Sequence, residues 1–303
     1  MDILKIISVP TLLALGFNLA YADVPTKFSY KDSISNTRHN LTQRPVSGIG
    51  ITMPWWMDAT RNDYGEVCVY CHTPHGANAA VNLPLWNRTI KATTYTTYNQ
   101  LGTSSLTQTV SQPGTASLAC LSCHDGQTAV DSIVNMPGTG RYDAAQATIQ
   151  NIAFLDTWDG IGPTGTHMAL RPDQGASQGC IHCHDGTLEM VGVDNFKIAN
   201  IGTDLMNDHP VGITFPAVNG VGTDFKTPAG VKGTTRYFDI DGNGKMGSGD
   251  VRLYDTGGVV QVECASCHDP HGVPSAGPGS TFRPTFLRVS NTSSALCLTC
   301  HSK

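Results

Sequence analysis

The order Cys-x-x-Cys-His occurs five times in this chain: Cys68-Val-Tyr-Cys71-His72, Cys120-Leu-Ser-Cys123-His124, Cys180-Ile-His-Cys183-His184, Cys264-Ala-Ser-Cys267-His268 and Cys297-Leu-Thr-Cys300-His301. All ten cysteines fall in these motifs. Two thiols three residues apart can form thioethers with the two vinyl groups of one haem, and the next histidine then sits beneath the iron as proximal ligand. Disulfide lattices, thioredoxin-like pairs and zinc ribbons do not need a histidine after every second cysteine. Zinc ribbons would also pair two Cys-x-x-Cys knuckles for each metal, and five is odd. The pattern predicts five covalently bound c-type haems, each with its iron.

Composition points the same way. Hydrophobic residues make up 40% of the chain and aromatics 7%, while 32 glycines and 17 prolines punctuate it. Such a sequence buries too little side chain to offset chain entropy easily, and a bound cofactor is one remedy. The expected fold class is a multihaem cytochrome c: mostly irregular chain with short helices at the haem motifs, a few short strands, and a core made of haems. The motif starts lie 52, 60, 84 and 33 residues apart, so no strict repeat period exists.

Residues 1–22 read as a secretory signal peptide. Met1 to Lys5 is a short start with one lysine, Ile6 to Leu19 a mostly apolar run, and Ala20-Tyr21-Ala22 a small-residue cleavage signal. The run is too short for a bilayer crossing, and no second one is present in the sequence. Residues 23–303 are then one exported pentahaem domain with no membrane span. The expected location is extracellular or at the cell surface, with the periplasm as the alternative. The net charge of −5 argues against a nucleic-acid partner.

Of the eleven histidines, five follow a motif cysteine and six do not: His39, His75, His167, His182, His209 and His271. Five irons each need a sixth ligand, and imidazole suits iron. His75 and His271 occur in matching contexts, His72-Thr-Pro-His75-Gly76 and His268-Asp-Pro-His271-Gly272. Neither can swing round to the far face of its own haem, but each can reach a neighbouring one. With His39, His167 and His209 they make five distal ligands, and His182, between two cysteines, is the spare. If every iron is closed in this way, the chain is no enzyme but an outer-sphere electron carrier. Multihaem nitrite reductases, by contrast, keep one iron open behind a Cys-x-x-Cys-Lys motif that is absent here.

Asp239-Ile-Asp241-Gly-Asn243-Gly244 followed by Asp250 matches a calcium loop at positions 1, 3, 5 and 6, with Asp in place of Glu at position 12. Asp239, Asp241, Asn243 and Asp250 are the candidate ligands. The plainer reading is an Asp/Gly turn between strands Thr234–Phe238 and Val251–Tyr254. Val259–Val262 reads as a further short strand feeding the fourth motif.

His39-Asn-Leu, Cys68-Val-Tyr-Cys71-His72-Thr-Pro-His75-Gly, Leu85-Trp86-Asn87-Arg88, Cys120-Leu-Ser-Cys123-His124-Asp-Gly and Val262-Glu263-Cys264-Ala-Ser-Cys267-His268-Asp-Pro-His271 together resemble the secreted multihaem cytochromes of metal-reducing bacteria. The likeness is closest to those that polymerise into extracellular filaments, although the best-known of these carry four, six or eight haems. The resemblance implies bis-histidine low-spin haems in a continuous stacked chain. It also implies end-to-end assembly with other copies, one distal histidine crossing the interface, with His39 the first candidate and His182 the second. Redox proteins or extracellular acceptors would be the further partners. The alternative is a monomeric periplasmic shuttle that serves a terminal reductase.

Overall fold

A computed structural model of the chain describes residues 34–42, 61–136, 151–162, 165–172, 179–187, 195–207, 210–272 and 285–303. The proposed signal segment and His209 lie outside these residues. In chain order the regular elements are α1 (Thr115–His124), α2 (Ile152–Leu155), β1 (Gly160–Gly162), β2 (Gly165–His167), α3 (Cys180–Cys183), β3 (Ile213–Thr214), β4 (Gly230–Lys232), β5 (Thr235–Phe238), β6 (Val251–Thr256), β7 (Val259–Val262), α4 (Cys264–Cys267) and α5 (Cys297–Cys300). Each Cys-x-x-Cys stretch lies in a short helix; the first is a 3-10 turn, Cys68–Tyr70. Most of the remaining described chain is irregular, as its glycine and proline content leads one to expect.

β3 to β7 form one antiparallel sheet in the order β3-β7-β6-β5-β4. Along β6 the apolar Val251 and Leu253 are buried while Arg252 and Tyr254 are half-buried, the period-2 pattern of a strand with one covered face. β6 turns into β7 through Gly257-Gly258, with φ of 64° and 89°. A two-residue hairpin of this hand needs positive φ at both central positions, which glycine adopts without steric cost. β7 runs directly into the fourth haem motif. The strand at 259–262 agrees with expectation, and β5 begins one residue later and β6 ends two residues later than the sequence suggested. That the strands join with β3 and β4 in one sheet was not foreseen.

Among the described residues the apolar core falls into three small clusters, and each touches a motif cysteine. Tyr64, Val69, Tyr70, Ile133, Val134, Met136 and Leu155 pack with Cys71. Tyr95, Leu121, Leu205 and Val211 pack with Cys264, and the sheet residues Phe215, Phe238, Val251 and Leu253 pack with Cys300.

Candidate functional site

The ten cysteines are all unbridged. Burial pushes the thiols of Cys71, Cys180 and Cys300 up to about 12 and that of Cys267 up to about 11. Thiolates of redox-active or zinc-binding cysteines call for the opposite shift. Among the described residues, moreover, the one cluster able to hold a metal directly is Asp239, Asp241 and Asp250, so the cysteines do not gather as a zinc site would. Unbridged thiols spaced along one helical turn suit covalent attachment to a large apolar group.

The motif histidines carry the second part of the pattern. His72 Nδ1 bonds Pro84 O at 2.8 Å, His124 Nδ1 bonds Ala199 O at 2.6 Å, and His268 Nδ1 bonds Thr285 O at 2.6 Å. A carbonyl can only accept, so the proton sits on Nδ1 and Nε2 keeps its lone pair. A backbone bond that fixes tautomer and ring orientation is the usual support of a metal-ligating imidazole. Burial also lowers the pKa of His72 and His124, which favours the neutral ring that a metal requires. His184 and His301 are instead covered by aromatic rings: Phe196 stacks on the first at 4.1 Å and Phe225 lies tilted over the second at 4.9 Å.

The non-motif histidines separate into distinct environments. The His271 ring lies 5.9 Å from that of His72, with 17° between their planes. The His39 ring lies 5.9 Å from that of His124, at 88°. His39 is held neutral, its pKa brought down to about 3 first by burial and then by His124 and His271. Its Nδ1 is buried with no hydrogen-bond partner, an arrangement that costs free energy unless a group outside the polypeptide meets the ring. Within the chain the ring of His39, the residue the sequence offered for donation across an interface, lies beside that of His124. His167 is buried, bonds Asp131 Oδ2 through Nδ1 at 2.7 Å and is covered by Trp158 at 3.6 Å. His75 is exposed, and its imidazole makes no hydrogen bond or ring contact among the described residues. His182 is exposed on α3.

A model for a family described as a doubled CXXCH motif matches residues 257–303, the fourth and fifth motifs with β7 ahead of them. No curated protein matches the chain. The match indicates a multihaem c-type cytochrome-like protein. Its motifs indicate covalently bound haem with iron, and haem-based electron transfer.

Sequence reasoning missed the contacts that hold the motifs together. Glu263, the N-cap of α4, exchanges bonds with Ser266 in a capping box. The same carboxylate accepts from Gly114 N at 3.0 and 3.1 Å and from the Ser117 hydroxyl, at the start of α1. One buried acid therefore caps the helices of both the second and the fourth motif, where the helix dipoles favour negative charge. The available signal was weak: a glutamate just before a cysteine, and a glycine where helix packing is tight. The four calcium-loop candidates are brought together only in part. Asp239, Asp241 and Asp250 place ligand oxygens within 4.8 Å of one another, and Asn243 donates to Asp241 at 2.7 Å.

Proposed function

We propose that this protein carries electrons through five covalently attached bis-histidine c-type haems, without catalysing a reaction of its own, as a subunit of an extracellular cytochrome filament. The observation that carries the reading is the repeated pairing of unbridged cysteines with a following histidine, whose Nδ1 in three of the motifs is bonded to a backbone carbonyl. Haem supplies a one-electron couple whose potential the protein adjusts through ligands, hydrogen bonds and burial. The polypeptide aims the His72, His124 and His268 rings through their Nδ1 bonds, and burial favours the neutral form of His72 and His124.

The filament part rests on the sequence resemblance and on His75, whose exposed imidazole has no described partner in its own chain. His75 is thus the better donor to a neighbouring subunit than His39. Calcium at the Asp239–Asp250 loop belongs to the same proposal, supported by the three convergent carboxylates.

Intact-mass measurement of the exported protein tests the haem count, with five haem additions expected; fewer would sink the reading. Carbon monoxide added to the reduced, assembled protein should leave its spectrum nearly unchanged. Strong binding would indicate an open iron and a catalytic role. Electron microscopy of purified protein and of the sheared cell-surface fraction tests assembly. Filaments support the proposal, and discrete particles confined to the periplasm support a shuttle.

A further inference from the structure

Two imidazole pairs stand at the same centre-to-centre distance, 5.9 Å, although their members lie far apart in sequence. We propose that His72 and His271 are the two axial ligands of the haem on the first motif, and that His124 and His39 are those of the haem on the second. The inference rests on the multihaem reading above and adds to it which rings share an iron, and how those rings are turned.

Distance alone does not single out a pair, because Trp86 also lies 5.8 Å from His72, edge-on. The chemistry of the rings does. Two imidazoles bonded through nitrogen to one metal at about 2 Å each have ring centres roughly 6 Å apart. The nearly parallel rings of His72 and His271 are too far apart for face contact; Phe196, stacked directly on His184, is at 4.1 Å. His72 and His124 each have Nδ1 tied to a carbonyl, and His271 has Nδ1 bonded to Asp269 Oδ1 at 2.8 Å. In all three, Nε2 remains for a metal. His39 is pressed from one side by Phe286, stacked at 4.7 Å, and has its Nδ1 buried without a partner. Phe286 holds a positive φ of 58°, a strained conformation for a bulky residue. Such strain persists where surrounding structure demands it, here at the back of a candidate ligand.

The two pairs are also joined to each other. Ile34 N donates to His271 O at 3.2 Å, so the segment bearing His39 is tied to the turn bearing His271. Arg88 joins the first motif to the second from the other side, donating to Ser122. Both observations place the two ligand pairs side by side.

The ring angles make the assignment testable. Nearly parallel axial imidazoles split the iron d orbitals and give a rhombic low-spin ferric signal. Nearly perpendicular ones leave two of those orbitals almost degenerate and give a single, strongly anisotropic feature. The planes differ by 17° in the His72/His271 pair and by 88° in the His124/His39 pair.

The experiment is low-temperature electron paramagnetic resonance of the oxidised, haem-loaded full chain, as wild type, His271→Met and His39→Met. Wild type should show both signal types. His271→Met should remove one iron's share of the rhombic intensity, and His39→Met one iron's share of the anisotropic intensity. Either variant changing the other signal, or neither, overturns the pairing. Should a variant lose haem, Asp269→Asn is the milder probe: it keeps the His271 ring and should shift the rhombic signal alone. A wild-type spectrum lacking either signal type also overturns the pairing. Failure of the cytochrome reading looks different, since the wild type would then lack low-spin iron or carry fewer than five haems.

Discussion

The guanidinium of Arg88 donates to the Ser122 carbonyl at 2.7 Å and to the Ser122 hydroxyl at 3.1 Å, joining the segment after the first haem motif to the helix of the second. It also donates to Val130 O and Ala129 O, so four bonds leave one fully buried side chain. Asn87, beside it, donates to Val69 O and Asn135 O and accepts from Asn135 N. Trp86 stands edge-on to His72. The Leu85-Trp86-Asn87-Arg88 element is therefore a stitch: one residue faces His72, and the next two hold the polypeptide around two motifs.

Replacing Arg88 with leucine removes all four bonds and leaves buried carbonyls without donors. Each bond to a charged group is worth about 1.5–3 kcal/mol, so a net loss of roughly 3 kcal/mol or more is expected. Arg88→Lys should recover only part of this, because a point ammonium cannot fan out to four acceptors. Denaturant unfolding of the holoproteins, followed through the haem bands, measures it. An Arg88→Leu midpoint equal to wild type would show that the stitch carries no stability.

Glu263 gives a pH prediction whose sign follows from burial. Desolvation raises its carboxyl above the ordinary 4.5, although bonds from Ser117, Gly114 and Thr256 pull it part of the way back. Between the unfolded value and the raised folded one, the native state holds the proton more tightly. Stability contributed by this group is therefore fully present below the unfolded pKa and is lost as pH rises through the folded one. The stability difference between wild type and Glu263→Gln should accordingly change across that window, with wild type losing ground as pH increases. Parallel stability–pH curves would contradict the assignment. Glu263→Ala should be worse at any pH, because Gly114 N and the Ser117 hydroxyl would lose their acceptor.

The parts of this molecule that were legible in the sequence are those set by neighbouring residues. The haem motifs are fixed by a three-residue spacing, and β6 is fixed by its alternating Val251, Arg252, Leu253 and Tyr254. The β6–β7 hairpin is announced by Gly257-Gly258. The rest depends on closures between distant segments. That His271 meets His72, or that Glu263 meets Ser117, follows from the path of the whole chain and leaves no local periodicity to read. His39 illustrates the limit. The sequence offers its imidazole as a ligand without saying what surrounds it, and only the path of the chain brings Phe286 onto the ring and the Asn40 Nδ2 bond to Ser35 O, at 2.8 Å, beside it.

The Asp239–Asp250 loop joins β5 to β6 and is largely closed by its own N–H groups. Asp239 accepts from Gly242, Asn243 and Gly244, and Asp250 accepts from Ile240 at 2.8 Å and Gly247 at 2.6 Å. Calcium would have to displace some of these donors, which argues for weak binding, with a dissociation constant on the order of 0.1–1 mM. A hundredfold excess over that constant should stabilise the holoprotein by about 2.7 kcal/mol. The expected result is a thermal midpoint that rises with calcium in wild type and stays flat in Asp241→Asn, whose exposed side chain serves the fold little. A flat response in wild type would leave the loop as a turn closed by its own hydrogen bonds.

His75 provides the sharpest test of assembly because its removal should leave the isolated chain intact. The ring is exposed and has no described contact, so His75→Ala should alter stability by no more than about 0.5 kcal/mol. The backbone carbonyl of residue 75 keeps its bond from the Thr73 hydroxyl at 2.8 Å, which holds the turn in place whatever the side chain. If the imidazole completes an iron in the next subunit, the variant should carry all five haems yet fail to form filaments. The iron left short of a ligand should then turn high-spin and bind carbon monoxide on reduction, as disassembled wild type should also do. Filaments of normal length from His75→Ala would assign the contact to another residue. Discrete particles from wild type and variant alike, low-spin and silent to carbon monoxide, would show that every iron is closed without His75, and would favour the shuttle.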